Sequence, residues 1–362
     1  MRIGSPKEVK NREYRIGLPP SAARELILAG HEVLIETGAG AAIGFFDEMY
    51  SRIGCKIMPD ADSLFEQSEM IIKVKEPQPE EIARLKPHHT LFTYLHLAPD
   101  PEQTNGLKKS GATCIAYETV TDRKGKLPLL TPMSEVAGRL SVQVGTKYLE
   151  IANGGAGVLL GGVTGVKPAN VLVIGGGVSG FNAAQMALGL GANVTVLDRS
   201  TERLRELDAI FDGRVTNLYS TSAAIDEEIP TADLVIGAVL LPGAAAPRVL
   251  DRDHIASMKK GSVVVDIAID QGGCFETSRP TSHDEPVYEV DGVTHYCVTN
   301  MPAAVAKTST EALSNVTLPF ALQLANLGAD AAMAANPHLK AGLNVMAGEV
   351  VHPEVIAALA DS

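Results

Sequence analysis

The chain has 362 residues, of which 45% are hydrophobic and 20% are charged, and its formal net charge is −12. This length favours two domains, and the composition is that of a soluble globular protein with enough apolar residues for two cores. An acidic chain repels nucleic acids and anionic membrane surfaces, so neither is an expected partner.

The cysteines and the apolar stretches indicate where the protein resides. Four cysteines are widely spaced and form no CxxC pair: Cys55, Cys114, Cys274 and Cys297. Unpaired thiols are typical of a reducing compartment. The first residues contain no apolar stretch of signal-peptide type, and residues 154–166 are too few and too interrupted by glycine to span a bilayer. The sequence therefore predicts a cytoplasmic protein.

Short β-type runs alternate with helical patterns in the first part of the chain. Strands are predicted at residues 31–36, 70–75, 90–97 and 112–117, with helices at 21–29 and 101–109. In the third of these strands Phe92, Tyr94 and His96 alternate, which predicts that they share one face with His96 at the strand's end.

The organisation changes near Thr131. A long helix is predicted over residues 133–149, because apolar residues recur there at every fourth position, at Val136, Leu140, Val144 and Tyr148. This helix and the glycine-rich residues 154–165 are predicted to join two domains. The first domain would comprise residues 1–130 and 306–362, and the second residues 131–305.

A second series of strands is predicted at residues 170–174, 193–197, 234–239, 263–269 and 294–298. Beyond Pro302 the pattern is helical, through residues 309–327, and this tail is predicted to close back on the first domain. The predicted fold is α/β, with two Rossmann-like domains of mainly parallel sheets that are joined by long helices around a cleft.

The segment Gly175-Gly176-Gly177-Val178-Ser179-Gly180 fits the pattern G-x-G-x-x-G. An apolar strand leads into it and a helix-forming run follows, which is the context that this pattern requires. Gly175 permits a tight turn, Gly177 lets the backbone approach a pyrophosphate, and Gly180 lets the helix pack close to the strand. The N–H groups at the start of the helix, at Val178 and Ser179, would hold the phosphate charge.

Asp198 ends the next predicted strand, about 20 residues further on. Its carboxylate can accept hydrogen bonds from the adenosine ribose and would repel a 2′-phosphate, which favours NAD over NADP. Arg199 beside it weakens this preference. The alternative is a glycine turn without a ligand, but the surrounding strands and helix favour NAD binding by residues 131–305.

Ligands of open α/β sheets bind beyond the carboxyl ends of the strands, and four polar residues are predicted there: Lys75, His96, Asp270 and Asn300. Oxidation of an amino acid needs a cation for the substrate carboxylate, a group that titrates near neutrality, and a carboxylate that stabilises a cationic intermediate. His96 suits the second task and Asp270 the third.

These residues also have structural interpretations. His96 could be a hydrogen-bonded structural residue, Lys75 and Arg15 could be solvated surface charges, and Asp270 could be a turn residue or a helix cap. The residues indicate an NAD-linked oxidoreductase with a candidate acid/base, and they do not select the substrate.

Seven segments, in order and spread over most of the chain, resemble the L-alanine dehydrogenase family. They are Pro6-Lys7-Glu8, residues 73–77 (KVKEP), 92–98 (FTYLHLA), 132–139 (PMSEVAGR), the glycine segment 175–180, 266–274 (DIAIDQGGC) and 295–302 (HYCVTNMP). The family converts L-alanine, NAD and water reversibly to pyruvate, ammonium and NADH. The resemblance implies a homohexamer, and it implies no metal site.

The resemblance also implies roles for individual residues. Arg15 and Lys75 would bind the substrate, His96 would be the general acid/base, and Asp270 would orient water or ammonia and stabilise the intermediate. The first domain would then be the catalytic domain. Outside the glycine segment the NAD site would be lined by Ser134, Asp198, Arg203, Ser220, Val239, Leu240, Ile267, Ala268, Ile269, Asp270, Arg279, Val298, Thr299, Asn300 and Met301.

Three other functions are alternatives to this one. An NAD-binding transhydrogenase subunit shares the fold but performs no amino-acid chemistry, and His96 and the DQGG segment argue against it. A non-enzymatic NAD sensor is disfavoured by the complete set of Arg15, Lys75, His96 and Asp270. A dehydrogenase of opine or saccharopine type needs room for a bulky second substrate, which the sequence does not exclude.

Overall fold

A computed structural model describes residues 1–239 and 246–360 of the chain. It divides into two compact units. The first unit comprises Met1–Met133 and the chain from Val305 onward, and the second comprises Ser134–Ala304. The assignment of substrate binding to one and NAD binding to the other stays a prediction at this point.

The strands of both units are short, at two to six residues. They are β1 (Arg2–Ser5), β2 (Glu32–Glu36), β3 (Lys56–Met58), β4 (Met70–Ile72), β5 (Thr90–Thr93), β6 (Thr113–Ala116), β7 (Asn170–Ile174), β8 (Asn193–Asp198), β9 (Thr216–Tyr219), β10 (Leu234–Gly237), β11 (Val263–Asp266), β12 (Val287–Val290), β13 (Val293–Tyr296), β14 (Leu343–Met346) and β15 (Glu349–Val350).

Helices occupy most of the segments between the strands. They are α1 (Pro20–Leu28), α2 (Asp47–Arg52), α3 (Ala61–Gln67), α4 (Pro79–Ile82), α5 (Pro101–Ser110), α6 (Thr131–Tyr148), α7 (Val178–Gly189), α8 (Thr201–Phe211), α9 (Ser222–Glu228), α10 (Arg252–Ser257), α11 (Ala306–Leu327), α12 (Ala329–Ala335), α13 (Pro337–Lys340) and α14 (Pro353–Ala360). Among the residues that the structure describes, no helix combines the length and apolarity that crossing a membrane requires.

The first unit is built on an eight-stranded sheet in the order β15-β14-β6-β5-β4-β1-β2-β3. Strands β1 to β6 run parallel, while β14 pairs antiparallel with β6 and brings the C-terminal tail onto the edge of this sheet, as predicted. The core is aliphatic and aromatic, with Leu34, Phe65 and Leu91 completely buried. Because β4, β5 and β6 are neighbours, the segments that follow them leave the sheet at the same edge.

The second unit contains a seven-stranded sheet in the order β12-β13-β11-β10-β7-β8-β9, parallel except for β12. The chain moves outward from β7 in both directions, so the strand order reverses between β7 and β10. Ligands of such sheets bind at the reversal, outside the carboxyl ends of the strands. The prediction of an α/β fold with two mainly parallel sheets is confirmed.

Several predicted strands extend too far at their carboxyl ends. The strand predicted to end at Lys75 ends at Ile72, and the strand predicted to reach residue 97 ends at Thr93. The expectation that Phe92, Tyr94 and His96 alternate along one strand face is therefore wrong. The apolar residues continue past each strand because the turns that follow are themselves buried, which gives them the composition of a strand.

Two further expectations differ from the structure. The run predicted as a strand over residues 263–269 is a strand only to Asp266, and Ile267–Gln271 form a 3-10 helix that contains Asp270. The glycine-rich residues 154–165 were expected at the junction of the domains, but they lie inside the second unit. Helix α6 spans the first boundary between the units, and the 3-10 helix Met301–Val305 spans the second.

Candidate functional site

His96 lies in the turn that follows β5 and has an unusual backbone conformation. Its φ of 49° is in the left-handed region, which costs a residue with a Cβ atom roughly 1–2 kcal/mol. The side chain is 46% exposed and its ring stacks on that of Tyr94, with centroids 5.8 Å apart. The imidazole is thus accessible to a small molecule while one face is supported by an aromatic ring.

Glu118, in the 3-10 turn after β6, binds the backbone of this segment. Its carboxylate accepts hydrogen bonds from the backbone N–H of His96 (2.6 Å) and of Leu95 (3.1 Å). The Nδ1 atom of His96 is 4.0 Å from a carboxylate oxygen of Glu118. On the far side, Gln103 donates to the carbonyl of Leu95, so this turn is held from two directions.

Lys75 lies three residues beyond β4, beside the turn of His96. Its carbonyl accepts a hydrogen bond from the hydroxyl of Thr93, and its ammonium pairs with Glu76 at 3.4 Å. Glu76 also binds Lys10. Burial alone would raise the pKa of Glu76, but Lys75 and Lys10 outweigh it and lower that pKa, so this carboxylate is charged at neutral pH.

Arg15 is completely buried, which excludes the interpretation as a solvated surface charge. Its Nε and Nη2 atoms donate to the two carboxylate oxygens of Glu13, at 2.7 and 2.6 Å. Burial lowers the pKa of Arg15, but the paired Glu13 outweighs it and the net shift is upward. This bidentate geometry fixes the guanidinium plane, as an anion-binding arginine requires.

The structure brings Arg15, Lys75 and His96 to one edge of the first sheet. Tyr94 contacts all three segments. Its ring stacks on His96, and its backbone N–H donates to the carbonyl of Val74, next to Lys75. Burial raises the pKa of the Tyr94 hydroxyl, and the nearby positive charge of Arg15 partly opposes that rise. The hydroxyl of Tyr94 donates to the carbonyl of Leu129. Cationic groups and an imidazole at one sheet edge can bind a carboxylate and move a proton beside it.

In the second unit the glycine segment joins β7 to α7, as predicted. Gly175 has a φ of 99°, and a Cβ on it would lie 2.7 Å from the carbonyl oxygen of Ala238. A Cβ on Gly180 would overlap the carbonyl oxygen of Gly175. Gly177 faces open space, so its backbone is accessible to a ligand. With the N–H groups at the start of α7, of which Val178 and Ser179 are the first two residues, this arrangement fits a pyrophosphate.

Asp198 and Arg203 lie against this turn. Asp198 ends β8, and its two oxygens accept from the backbone N–H groups of Gly176 and Ser200, each at 2.7 Å. Arg203 donates from Nε to the carbonyl of Gly176 and lies over the ring of Phe181. Ser220 follows β9 and donates its backbone N–H to the carbonyl of Asp198.

Asp270 and Asn300 lie in the segments after β11 and β13, and the structure brings them together. The carboxylate of Asp270 accepts from the backbone N–H of Asn300 at 3.3 Å, and Asn300 has a φ of 56°. The buried Asp266 organises the loop that carries Asp270, because its oxygens accept from the N–H groups of Ala268 and Cys274 and from the hydroxyl of Ser278.

The other predicted NAD residues are distributed along the second unit. Arg279 stacks its guanidinium 3.9 Å from the ring centroid of Tyr288, and Val239 lies two residues beyond β10. Leu240 lies outside the described residues. The remaining ones are Ser134 in α6, Ile267, Ala268 and Ile269 in the 3-10 helix after β11, and Val298, Thr299 and Met301 after β13.

Three carboxylates that hold residues or loops of the candidate site were not predicted from the sequence: Glu13, Glu118 and Asp266. Glu118 follows the end of β6, so the rule that selected His96 could have selected it too. Asp266 is the one acid within an otherwise apolar run, and a buried carboxylate there indicates a structural task. Glu13 offers only its closeness to Arg15 in sequence.

Two family models match the chain, and together they cover nearly all of it. Residues 4–137 match the alanine dehydrogenase/PNT N-terminal domain, and residues 141–353 match the C-terminal domain of the same family. The chain belongs to the alanine dehydrogenase/PNT family. It is 57% identical to the alanine dehydrogenase of Halomonas elongata, covering 99% of this chain and 96% of that protein. It is 52% identical to that of Bacillus subtilis, covering 98% and 94%.

The solved structure of an L-alanine dehydrogenase agrees with this membership, and a more distant one shares the fold. An L-alanine dehydrogenase superposes with a TM-score of 0.97 at 52% identity, covering 100% of this chain and 99% of that one. A transhydrogenase from Sinorhizobium meliloti superposes with a TM-score of 0.84 over 98% and 99% of the chains, at 24% identity, and shares the fold. Members of the family use pyridine nucleotides.

Proposed function

We propose that this protein is an NAD-dependent L-alanine dehydrogenase that converts L-alanine and water reversibly to pyruvate and ammonium. The observation that carries the proposal is the group of Arg15, Lys75 and His96 at one edge of the first sheet, in a chain that is more than half identical to alanine dehydrogenases over its length. A subunit that only transfers hydride between nucleotides needs no such imidazole.

NAD supplies the acceptor for the hydride that leaves the Cα atom of alanine. The glycine turn and the first N–H groups of α7 would hold its pyrophosphate, and Asp198 its adenosine ribose. The carboxylate of Asp198 favours NAD over a nucleotide with a 2′-phosphate. Ser220, Arg279 and the segments after β11 and β13 complete the proposed site.

Arg15 and Lys75 would bind the substrate through its carboxylate and, in the reverse direction, its carbonyl. Glu13 and Glu76 hold the two cations in place, so little side-chain entropy remains to be lost on binding. Lys75 and Arg15 supply the positive charge that a substrate carboxylate needs.

His96 would act as the general acid/base. It would take a proton from the substrate ammonium before hydride leaves and release it to solvent, and would then take a proton from the water that attacks the resulting iminium carbon. His96 would return that proton to the nitrogen of the carbinolamine, so that the C–N bond breaks and ammonia leaves. The hydroxyl proton, lost as the carbonyl of pyruvate forms, converts the ammonia to ammonium. For Asp270 we propose the orientation of water or ammonia and the stabilisation of the cationic intermediate.

We further propose that the protein acts in the cytoplasm as a homohexamer, without membrane or nucleic-acid partners. The resemblance to the family supports the hexamer, and the unpaired buried cysteines support a reducing compartment. Light scattering coupled to size-exclusion chromatography gives the number of subunits directly.

The test of the reaction is NADH absorbance with purified protein, NAD and L-alanine at mildly alkaline pH. We expect alanine-dependent NADH formation, its reversal with pyruvate and ammonium, and at least a hundredfold lower kcat in His96→Ala. His88→Ala, an exposed histidine of the same unit, is the matched control. Normal NAD binding without NADH formation from any amino acid would refute the proposal and favour a transhydrogenase-like function.

A further inference from the structure

We infer that Glu118 is a positioning residue for His96: it holds the backbone N–H groups of the turn that carries His96 and directs one nitrogen of the imidazole toward the substrate. The inference rests on the proposed role of His96 as the acid/base.

The strained backbone conformation lies at His96, the residue for which we propose proton transfer. Six described residues other than glycine have positive φ values: Arg12, His96, Asp212, Asp291, Asn300 and Ala347. Asn, Asp and His adopt this conformation more often than other residues with a Cβ atom, but it is uncommon for all of them. A histidine therefore remains there only when its surroundings favour that geometry.

Glu118 stabilises the turn of His96 through hydrogen bonds with its backbone N–H groups. Two successive backbone N–H groups, those of Leu95 and His96, point toward the carboxylate of Glu118, which accepts from both and so fixes the peptide planes that enter the left-handed residue. Its side chain is only 14% exposed, so water competes weakly for these N–H groups. Two hydrogen bonds for which water competes weakly stabilise the turn and so offset the strain at His96.

The same contacts orient the ring. Of the two imidazole nitrogens, Nδ1 faces Glu118 at 4.0 Å, and Tyr94 stacks on the ring with an interplanar angle of 8°. Because Nδ1 is turned toward the carboxylate, the other ring nitrogen, Nε2, is the one left for the substrate. The geometry thus assigns proton transfer to Nε2, while Glu118 and Tyr94 fix the ring without contacting the substrate.

The sheet explains why a residue 22 positions away can do this. Strands β5 and β6 are parallel neighbours, with Thr93 opposite Ala116. Two residues beyond Ala116 the chain reaches Glu118, and three beyond Thr93 it reaches His96. Both turns leave the same edge of the sheet, so the register of one strand pair sets the position of the carboxylate under the histidine turn.

The test compares two substitutions of similar size. Glu118→Met removes both acceptor oxygens, whereas Glu118→Gln keeps one, and a single oxygen already accepts from Leu95 and His96. We expect Glu118→Met to lower kcat about 10- to 100-fold with little change in the KM for NAD, because small displacements of an acid/base cost that much. Glu118→Gln should stay within about threefold of wild type.

A second measurement does not depend on activity. Hydrogen–deuterium exchange of the peptide containing Leu95 and His96 should be faster in Glu118→Met and unchanged in Glu118→Gln. Glu102→Ala, which removes an exposed carboxylate in α5, is the control for both measurements. If the Met variant does not fold, Glu118→Ala replaces it, since water can then reach the two N–H groups.

Equal kcat and equal exchange in wild type and Glu118→Met would overturn the inference. So would a Glu118→Gln variant that keeps slow exchange but loses activity as severely as Glu118→Met, because the charge and not the backbone contact would then matter. Wild-type protein that makes no NADH from alanine refutes the proposed function only, since the exchange measurement still tests whether Glu118 holds the turn.

Discussion

In the first unit, the segments beside the candidate site are held by buried ion pairs, whereas in the second unit they are held by close-packed glycines and by hydrogen bonds from the backbone to single carboxylates, those of Asp198 and Asp266. Arg15 with Glu13, and Lys73 with Glu8 and Glu81, are buried ion pairs of the first unit. The ion pairs Arg203–Glu206 and Arg252–Asp291 of the second unit reach the solvent.

The difference follows from what each unit is proposed to bind. A pyrophosphate can be held by backbone N–H groups, so the chain needs glycines that allow a close approach. A small amino acid needs individual charged and titratable groups at fixed positions, and charges are fixed inside a protein by countercharges. The four predictions below, from the largest expected effect to the smallest, test this contrast.

Lys73→Met should have the largest effect on stability. The Nζ atom of Lys73 lies 2.9 Å from Glu8 and 2.7 Å from Glu81, and all three side chains are buried. Removing the cation leaves two buried carboxylates facing each other, which should cost about 3–5 kcal/mol in the free energy of unfolding. Urea unfolding measures this, with the exposed Lys56→Met as control. A cost below about 1 kcal/mol would mean that buried charges do not stabilise the first unit.

His89 should make the first unit sensitive to acid. Burial lowers its pKa from 6.5 to about 4, and its Nδ1 accepts from the N–H of Lys86 while Nε2 faces the carbonyl of Phe65, which is the pattern of a neutral ring. Below pH 6.5 the unfolded state takes up the proton first, so stability falls as the pH falls from 6.5 to 4, by up to about 3 kcal/mol.

His89→Gln should remove that part of the pH dependence, even though it is less stable than wild type at pH 7. Unfolding by urea at pH 7 and pH 4.5 gives the difference. The neighbouring exposed His88→Gln should keep the slope of wild type. A slope that survives in His89→Gln would assign the acid sensitivity to other groups.

Gly180→Ala tests whether the close packing of α7 on β7 in the second unit requires a glycine. The new methyl group would overlap the carbonyl oxygen of Gly175 and force α7 away from β7, at a cost of about 1–3 kcal/mol. Gly189→Ala, at the other end of the same helix, meets no atom within 4 Å and should be neutral or slightly stabilising. Thermal unfolding of the two variants compares them; equal midpoints would contradict the close packing.

Gly177→Ala should weaken NAD binding with almost no change in stability. Its φ of −63° suits any residue, and a Cβ there has no protein atom within 4 Å. The methyl group would therefore clash only with a bound ligand. We expect about a tenfold rise in the Kd for NAD, or about 1.4 kcal/mol, in a fluorescence titration. Unchanged affinity would place the pyrophosphate elsewhere than on this turn.

The second unit was the more predictable from its sequence, because its glycine turn is specified by residues that are close together in the chain. The spacing of the glycines from Gly175 to Gly180 and of Asp198 after them predicts a turn between a strand and a helix with the carboxylate beside it. The structure has this arrangement. The first unit was less predictable. His96 and Lys75 were selected as strand-end residues, yet both strands end three residues earlier, and the turns that hold the side chains look like strands in composition.

The sequence by itself determined the α/β class, the strand–turn–helix unit of the nucleotide turn and the residue types available for chemistry, because periodicity and glycine spacing act over a few neighbouring residues. Only the tertiary structure decided that Arg15 is buried against Glu13, that Lys73 lies between Glu8 and Glu81, and that Glu118 holds the turn of His96. The last two depend on which strands are neighbours in the sheet, and strand pairing is a long-range property that no local pattern records.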